Sequence, residues 1–270
     1  MTFEEVRRDP AVRVYITQAD ASMQALGFTE HSFAHVSRVA QVAGDILKAL
    51  GYPERTVELA RIAGYLHDIG NIVNRVDHSQ SGAVMAFRIL DRMNFPPEEI
   101  AAIVTAIGNH DEGNGTPVNA VAAALFLADK SDVRRSRVRK TADISQDIHD
   151  RVNYSVTKSE LSVDLERHTV TLELVVDTTV SSVMEYFEIF MKRMVLCRKA
   201  AERLGLQFQL TINGQPLIGG NTDAPLPHRV AARGRFHWLE IMMCTLVIGS
   251  PAGCRCSGRG FTTGSSAGAG

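Results

Sequence analysis

Between residues 33 and 50, Phe33, Val36, Val39, Ala40, Ala43, Ile46, Leu47 and Leu50 recur at steps of three and four. That spacing gathers apolar side chains on one face of a helix, which must then be covered by neighbouring elements. The segments that follow repeat the pattern. Val57, Ala60, Ile62, Ala63 and Leu66 lead from Pro53 to His67, with the proline suited to a first helical turn and Gly70 suited to stopping the helix. Ala83, Ala86, Phe87 and Leu90 mark a helix after Ser79, and Ile100, Ile103, Val104 and Ile107 another from Pro96-Pro97. The turn formers Gly113-Asn114-Gly115-Thr116-Pro117 separate it from a last helical stretch, Val118 to Asp132. Residues 1–150 therefore predict an all-α bundle.

After about residue 155 the period changes from helical to two. Leu161, Val163 and Leu165, then Val170, Leu172, Leu174 and Val176, alternate with polar residues across a turn at Glu166-Arg167-His168, which predicts a β-hairpin. Ser181 or Ser182 can cap a helix running to Leu204, where Gly205 ends it, and Phe208, Leu210 and Ile212 read as a third strand before Asn213-Gly214. The expected fold is mainly α, a helical bundle (1–150) carrying a small strand-strand-helix-strand α+β domain (151–218). Residues 219–270 are rich in Gly, Pro and Ser and lack periodicity. They are expected to be a disordered tail without chemistry, or a read-through or frame-shifted extension, in which case the native protein would end near residue 222.

Composition removes several classes of function. Hydrophobic residues make up 45% and charged residues 22% of the chain, with a formal net charge of −1. No global field draws nucleic acid or an anionic membrane, so attraction for anions must be local. The start MTFEEVRRDP has no apolar signal core, and the Trp238–Gly249 run is too short to span a bilayer. Cys197 stands alone, while Cys244, Cys254 and Cys256 crowd the tail without matching partners for a zinc knuckle. A cytoplasmic location is expected, without disulfides and without membrane or nucleic-acid partners. Neither a Gly-rich phosphate loop after a strand nor a G-x-S-x-G elbow occurs.

The polar residues that interrupt the apolar helix faces carry more information. His35 lies one turn before Val39 on the buried face, His67-Asp68 closes the next helix, and Asp129 follows Leu125 and Phe126 by about one turn. Each has a structural explanation on its own. His35 could be a satisfied core histidine, His67-Asp68 a helix-end cap, and Asp129 the partner of Arg134. Together, on separate helices facing one interior, they point to a shared cation, because buried imidazoles and carboxylates are costly without one.

The order His35, His67-Asp68, Asp129, centred on Tyr65-Leu66-His67-Asp68-Ile69-Gly70, resembles the H…HD…D signature of the HD superfamily of metal-dependent phosphohydrolases over about residues 25–140. His78, in Asp77-His78-Ser79-Gln80-Ser81-Gly82-Ala83, and His110, before a Gly-rich loop, resemble the extra ligands of its two-metal diadenosine-tetraphosphatase branch. The resemblance implies that His35, His67, Asp68 and Asp129 hold one ion and that His78 and His110 hold a second, with Asp68 bridging. It does not extend to the cyclic-dinucleotide phosphodiesterases, since Asn109 precedes His110 and the Gly-Tyr-Pro loop is absent; Asn71 also replaces a frequent lysine. Four imidazoles and two carboxylates suit Fe, Mn, Co, Ni or Zn rather than calcium.

The expected activity is cleavage of a phosphoester or phosphoanhydride, in a small phosphorylated substrate such as a nucleotide, by metal-activated hydroxide. Lys130 and Arg134, at the start of the most basic run in the chain, are expected to face the phosphate. Arg137, Arg139 and Lys140 are read as a solvated face, and His31 as lining the pocket mouth. The alternatives are a mixed-valent di-iron oxygenase with the same ligands, and a non-catalytic nucleotide sensor. The strands of the small domain could pair across a homodimer, or the domain could cover the pocket.

Overall fold

The computed structural model describes residues 1–113, 115–139 and 147–219. Apart from Gly219, the tail discussed above lies outside these residues, as do Asn114 and Lys140. The described chain is mainly helical, with one small sheet. Its order is α1 (Phe3–Arg8), α2 (Pro10–Ala25), α3 (Phe33–Ala49), α4 (Glu54–Leu66), a 3-10 turn (Ile69–Ile72), α5 (His78–Arg92), α6 (Pro97–Gly108) and α7 (Ala120–Ser131). There follow α8 (Ile148–Ser155), β1 (Val156–Asp164), β2 (Thr169–Val176), α9 (Val183–Arg203), β3 (Gln207–Ile212) and β4 (Gln215–Ile218).

The centre of the bundle is α7, whose residues from Val121 to Ser131 are all buried. It is apolar on every side because α3, α4, α6 and α9 all pack around it. Only at its C-terminal end do charges appear, and there Asp129 and Lys130 pair with each other at 2.7 Å. Such a pair tolerates burial where an isolated charge would not.

The approach of α3 to α4 depends on a missing side chain. A Cβ on Gly64 would lie 2.7 Å from the Cα and 2.8 Å from the backbone nitrogen of Ala40. The helices touch backbone to backbone there, and the contact brings the His35 end of α3 beside the His67 end of α4. Gly70 serves the neighbouring junction: a Cβ on it would collide with the carbonyl of His78 and the amide of Gly82. The turn after Asp68 is thereby pressed onto the first turn of α5. Asp77, at φ 56°, turns the chain so that α5 begins with His78.

The α+β part follows α8 directly into β1. The sheet runs β1-β2-β3-β4, with β2 and β3 parallel and the outer pairs antiparallel. Val170, Leu172 and Leu174 of β2 and Phe208, Leu210 and Ile212 of β3 alternate into the core, and α9 covers both strands. Ser182 and Glu185 form the capping box that starts α9. The strand-strand-helix-strand expectation is met, with β4 added. This strand has only one buried-side residue, Ile218, so its period was too short to read. Asn213 and Gly214, at φ 52° and 77°, make the tight hairpin turn that folds it onto β3. Among the described residues, no helix is long and apolar enough to cross a membrane.

Candidate metal centre

The six expected donors come from five places in the chain. His35 is in the first turn of α3, His67 ends α4, Asp68 opens the 3-10 turn, His78 begins α5, His110 follows α6 and Asp129 ends α7. All are buried. Helix ends are where the backbone can turn side chains from several directions onto one point, and carbonyls left free there anchor the rings. His67 Nδ1 lies 2.8 Å from Gly64 O, His78 Nδ1 3.0 Å from Arg75 O, and His110 Nδ1 2.6 Å from Ile107 O. A carbonyl only accepts, so each Nδ1 carries the proton and, in the neutral ring, each Nε2 presents a lone pair.

Those Nε2 atoms meet. His35 and His67 approach to 3.3 Å, and His78 and His110 to 3.1 Å. Asp68 stands between the two pairs. Its Oδ2 is 3.4 Å from His35 Nε2 and 3.2 Å from His67 Nε2, whereas its Oδ1 is 3.6 Å from His78 Nε2 and 3.9 Å from His110 Nε2. Asp129 Oδ1 joins the first set, at 3.5 Å from His35 and 3.7 Å from His67. Paired lone-pair atoms at these separations have only a proton or a cation to share. Within the described residues, His35-His67-Asp129 and His67-Asp68-His110 each gather tightly enough to hold an ion, and the all-N/O donor set fits a divalent transition metal.

The protein's own charges show the same demand for a cation. Burial presses His67 towards neutrality, yet Asp68 and Asp129 outweigh it and raise its pKa to about 10. Burial acts with the neighbouring His67 and His78 to lower His110 to about 3. Asp68 and Asp129 stay ionised: burial opposes this, but His67 and His31 beside Asp68, and Lys130 beside Asp129, hold both well below the carboxylate range. His67 and Lys130 thus together offset the two carboxylates, a task that a bound cation would share.

A layer of supporting contacts holds the donors. Asn71 Nδ2 donates to Asp68 Oδ1 at 2.9 Å. His35 Nδ1 donates to Asp132 Oδ2 at 2.7 Å, and the other oxygen of Asp132 accepts from Arg134 at 2.7 Å and forms an ion pair with Arg38 at 3.1 Å. Partners of this kind set ring orientation and ligand basicity. Replacing Asp132 with asparagine keeps its shape but removes the charge behind His35. Metal affinity, read by competition with a chromophoric chelator, is expected to fall about 10- to 100-fold; an unchanged affinity would show that Asp132 serves only the arginines.

Above the donors opens a cleft of about 300 Å³, with Asp68, His78, His110 and Asp129 on its lining. Lys130 lines it as expected. Arg134 does not: it is drawn to Asp132 and to Ser136 Oγ at 2.7 Å. Arg137, read from the sequence as solvated, is 7% exposed and lines the cleft, donating to the carbonyls of Glu30 and Asp132. Arg139 instead pairs with Asp20. His31 lines the cleft with Nε2 4.0 Å from Asp68 Oδ2.

Two cleft arginines escaped the sequence reading. Arg75, from the loop before α5, has Nη1 3.3 Å from both Asn71 Oδ1 and His78 Nε2. Arg193, from α9, pairs with Glu112 at 2.9 Å. Nothing about Arg75 stands out in its polar loop. Arg193 did leave a signal, because Tyr186, Phe190, Arg193 and Cys197 are spaced as one helical stripe in which it alone is charged.

Residues 32–134 match the HD domain family model. The uncharacterized protein MJ1020 of Methanocaldococcus jannaschii is 27% identical over 162 residues, covering 52% of this chain and 62% of the relative. The chain thus spans less than two thirds of that relative's length. A crystal structure of a predicted HD superfamily hydrolase from an uncultured Thermotogales bacterium is 27% identical over 48% of this chain and 73% of its own, with a TM-score of 0.37. The residues 32–134 that match the HD domain model enclose every one of the six converging donors.

Proposed function

We propose that the protein is a metal-dependent phosphohydrolase that cleaves a phosphoester or phosphoanhydride bond in a nucleotide. The observation that carries this reading is Asp68, whose two oxygens face two separate histidine pairs in a cleft that Arg75, Lys130, Arg137 and Arg193 also line. His35, His67, Asp68 and Asp129 would hold one ion, and Asp68, His78 and His110 a second. Divalent ions held there supply an activated nucleophile from water near neutral pH and neutralise charge on a phosphoryl group.

The rest of the chemistry belongs to the chain's own groups. Asn71 and Asp132 keep Asp68 and His35 aimed at the centre. Arg75, Lys130 and Arg137 face the cleft as fixed positive charge for the phosphoryl oxygens, in a site where donors need no reorganisation during the reaction. No side chain is required as nucleophile. The volume suits a compact ligand. Phe28, 42% exposed at the rim, offers a ring to a base, and His149 and Asn153 of α8 offer hydrogen bonds.

The test uses the full-length chain purified without chelator. Metals per chain are measured, and phosphate release is followed with Mn or Fe across a nucleotide panel that includes dinucleoside polyphosphates and cyclic dinucleotides. Two ions per chain with release from one nucleotide class is the expected result. Bound metal without release from any nucleotide, or no metal at all, overturns the proposal.

A further inference from the structure

The cleft is not built by the HD segment alone. Ile189, Phe190 and Arg193 of α9 line it opposite the metal donors, although α9 begins 49 residues after the family match ends (183 − 134). Arg193 is the charged member of this group, with 19% of its side chain exposed.

Its guanidinium is committed on two of three sides. The flat face lies on the Phe190 ring, with Cζ 3.9 Å from the centroid, a stacking that fixes the plane. The inner edge is anchored, Nε donating to Glu112 Oε1 at 2.9 Å. The remaining edge, Nη1 and Nη2, makes no hydrogen bond to the described residues. It is not sealed in the core either, because Arg61 Nε is the one fully buried side-chain polar atom without a partner among those residues. Two parallel N–H donors held in a fixed plane, opening on a cleft, match two oxygens of a phosphoryl group.

The anchoring residue connects this fork to the metal centre. Glu112 Oε1 also lies 3.4 Å from Lys130 Nζ, and Lys130 pairs with Asp129 Oδ2 at 2.7 Å, while Oδ1 of the same carboxylate faces His35 and His67. Negative and positive groups alternate from the donors to Arg193. Glu112 is shared by two cations, so it leaves the fork's charge only partly compensated. A helix that merely closed the core would present an apolar residue at this place in the Tyr186–Phe190–Cys197 stripe.

We infer that Arg193 is a substrate-binding residue, whose Nη1 and Nη2 grip non-bridging oxygens of a phosphoryl group and so make α9 a determinant of substrate choice. The assignment rests on the phosphohydrolase reading for its substrate, but its test does not need turnover. Full-length, metal-loaded wild type, Arg193→Gln, Arg193→Lys and Glu112→Gln are titrated with inorganic phosphate by calorimetry. Thermal melts of each variant run beside the titrations.

The Kd for phosphate is expected to rise about tenfold or more in Arg193→Gln. Arg193→Lys should lose nearly as much, since it keeps a charge for Glu112 but has no planar fork. Glu112→Gln, which breaks the same ion pair and keeps the fork, should lose much less. Phosphate affinity within about threefold of wild type in both Arg193 variants overturns the assignment. So does an equal loss in Glu112→Gln, which would make Arg193 a structural tie between α9 and the HD segment. If Arg193→Gln fails to fold, Arg193→Lys against Glu112→Gln decides in the same way. A wild type that binds phosphate through Arg193 yet hydrolyses no nucleotide sinks the hydrolase reading and leaves this one standing.

Discussion

Replacing Asp68 with alanine is expected to abolish phosphate release and strip the protein of metal. Its two oxygens are divided between the histidine pairs: Oδ2 faces the His35–His67 pair and Oδ1 the His78–His110 pair. Its loss leaves the second set with two imidazoles and no carboxylate. A cation there would lose its closest compensating negative charge. Metal ions contribute several kcal/mol of charge stabilisation to such reactions. At about 1.4 kcal/mol per factor of ten, turnover should fall by roughly 10³-fold or more. The measurement is metals per chain by elemental analysis together with phosphate release, on protein shown by circular dichroism to be folded. An Asp68→Ala protein that kept two ions and more than about a tenth of its activity would mean that the bridging carboxylate is elsewhere.

The second large effect is expected at a residue that is not itself a donor, Gly64, which lies one turn before His67 and whose carbonyl holds His67 Nδ1. Gly64→Ala adds one methyl group, and in an exposed helix that change would stabilise by up to about 1 kcal/mol. Here the methyl meets the Ala40 backbone at 2.7 Å, and backbone cannot swing aside as the end of a side chain can. Overpacking of this kind costs about 1–3 kcal/mol, and the rigid partner places Gly64→Ala towards the upper end. For a chain of this size that is a fall in Tm of roughly 5–10 °C. Because α3 and α4 must separate to admit the methyl, His35 and His67 move apart, and metal affinity should weaken as well. Calorimetric melts with and without metal check both parts. A raised Tm would show that the two helices have room to spare.

Gly64 also illustrates what a sequence discloses and what it withholds. The periodicity of residues 33–50 and 57–66 revealed two amphipathic helices, and His35 and His67-Asp68 stood out as polar residues on apolar faces. A glycine inside a helical pattern, however, reads only as weak propensity; that it is a contact point depends on the partner helix. Site residues on apolar helix faces were legible because the cost of burying them is visible against their neighbours. Arg75, on a polar loop, had no such contrast. Arg134 and Arg137 share one basic run whose facing is set by Asp132, a buried carboxylate that ties down Arg134 and leaves Arg137 against the cleft. Alternating charge along a loop has no period from which that could be read. Strand β4 was hidden for a different reason: its pairing follows from the Asn213-Gly214 turn rather than from its own residues.

The anchoring of the histidine rings has a consequence for how the protein meets its metal. Each imidazole of the six-donor set is held through Nδ1 by a backbone carbonyl or by Asp132, so the cage is assembled by folding rather than by the ion. Small zinc domains, by contrast, are unfolded until they are loaded. Here the chain itself supplies the partners that orient the rings, so the fold is expected to form first and to acquire ions later. Scarcity of metal would then silence the protein without exposing it to proteolysis, leaving a reserve that is restored as soon as supply returns.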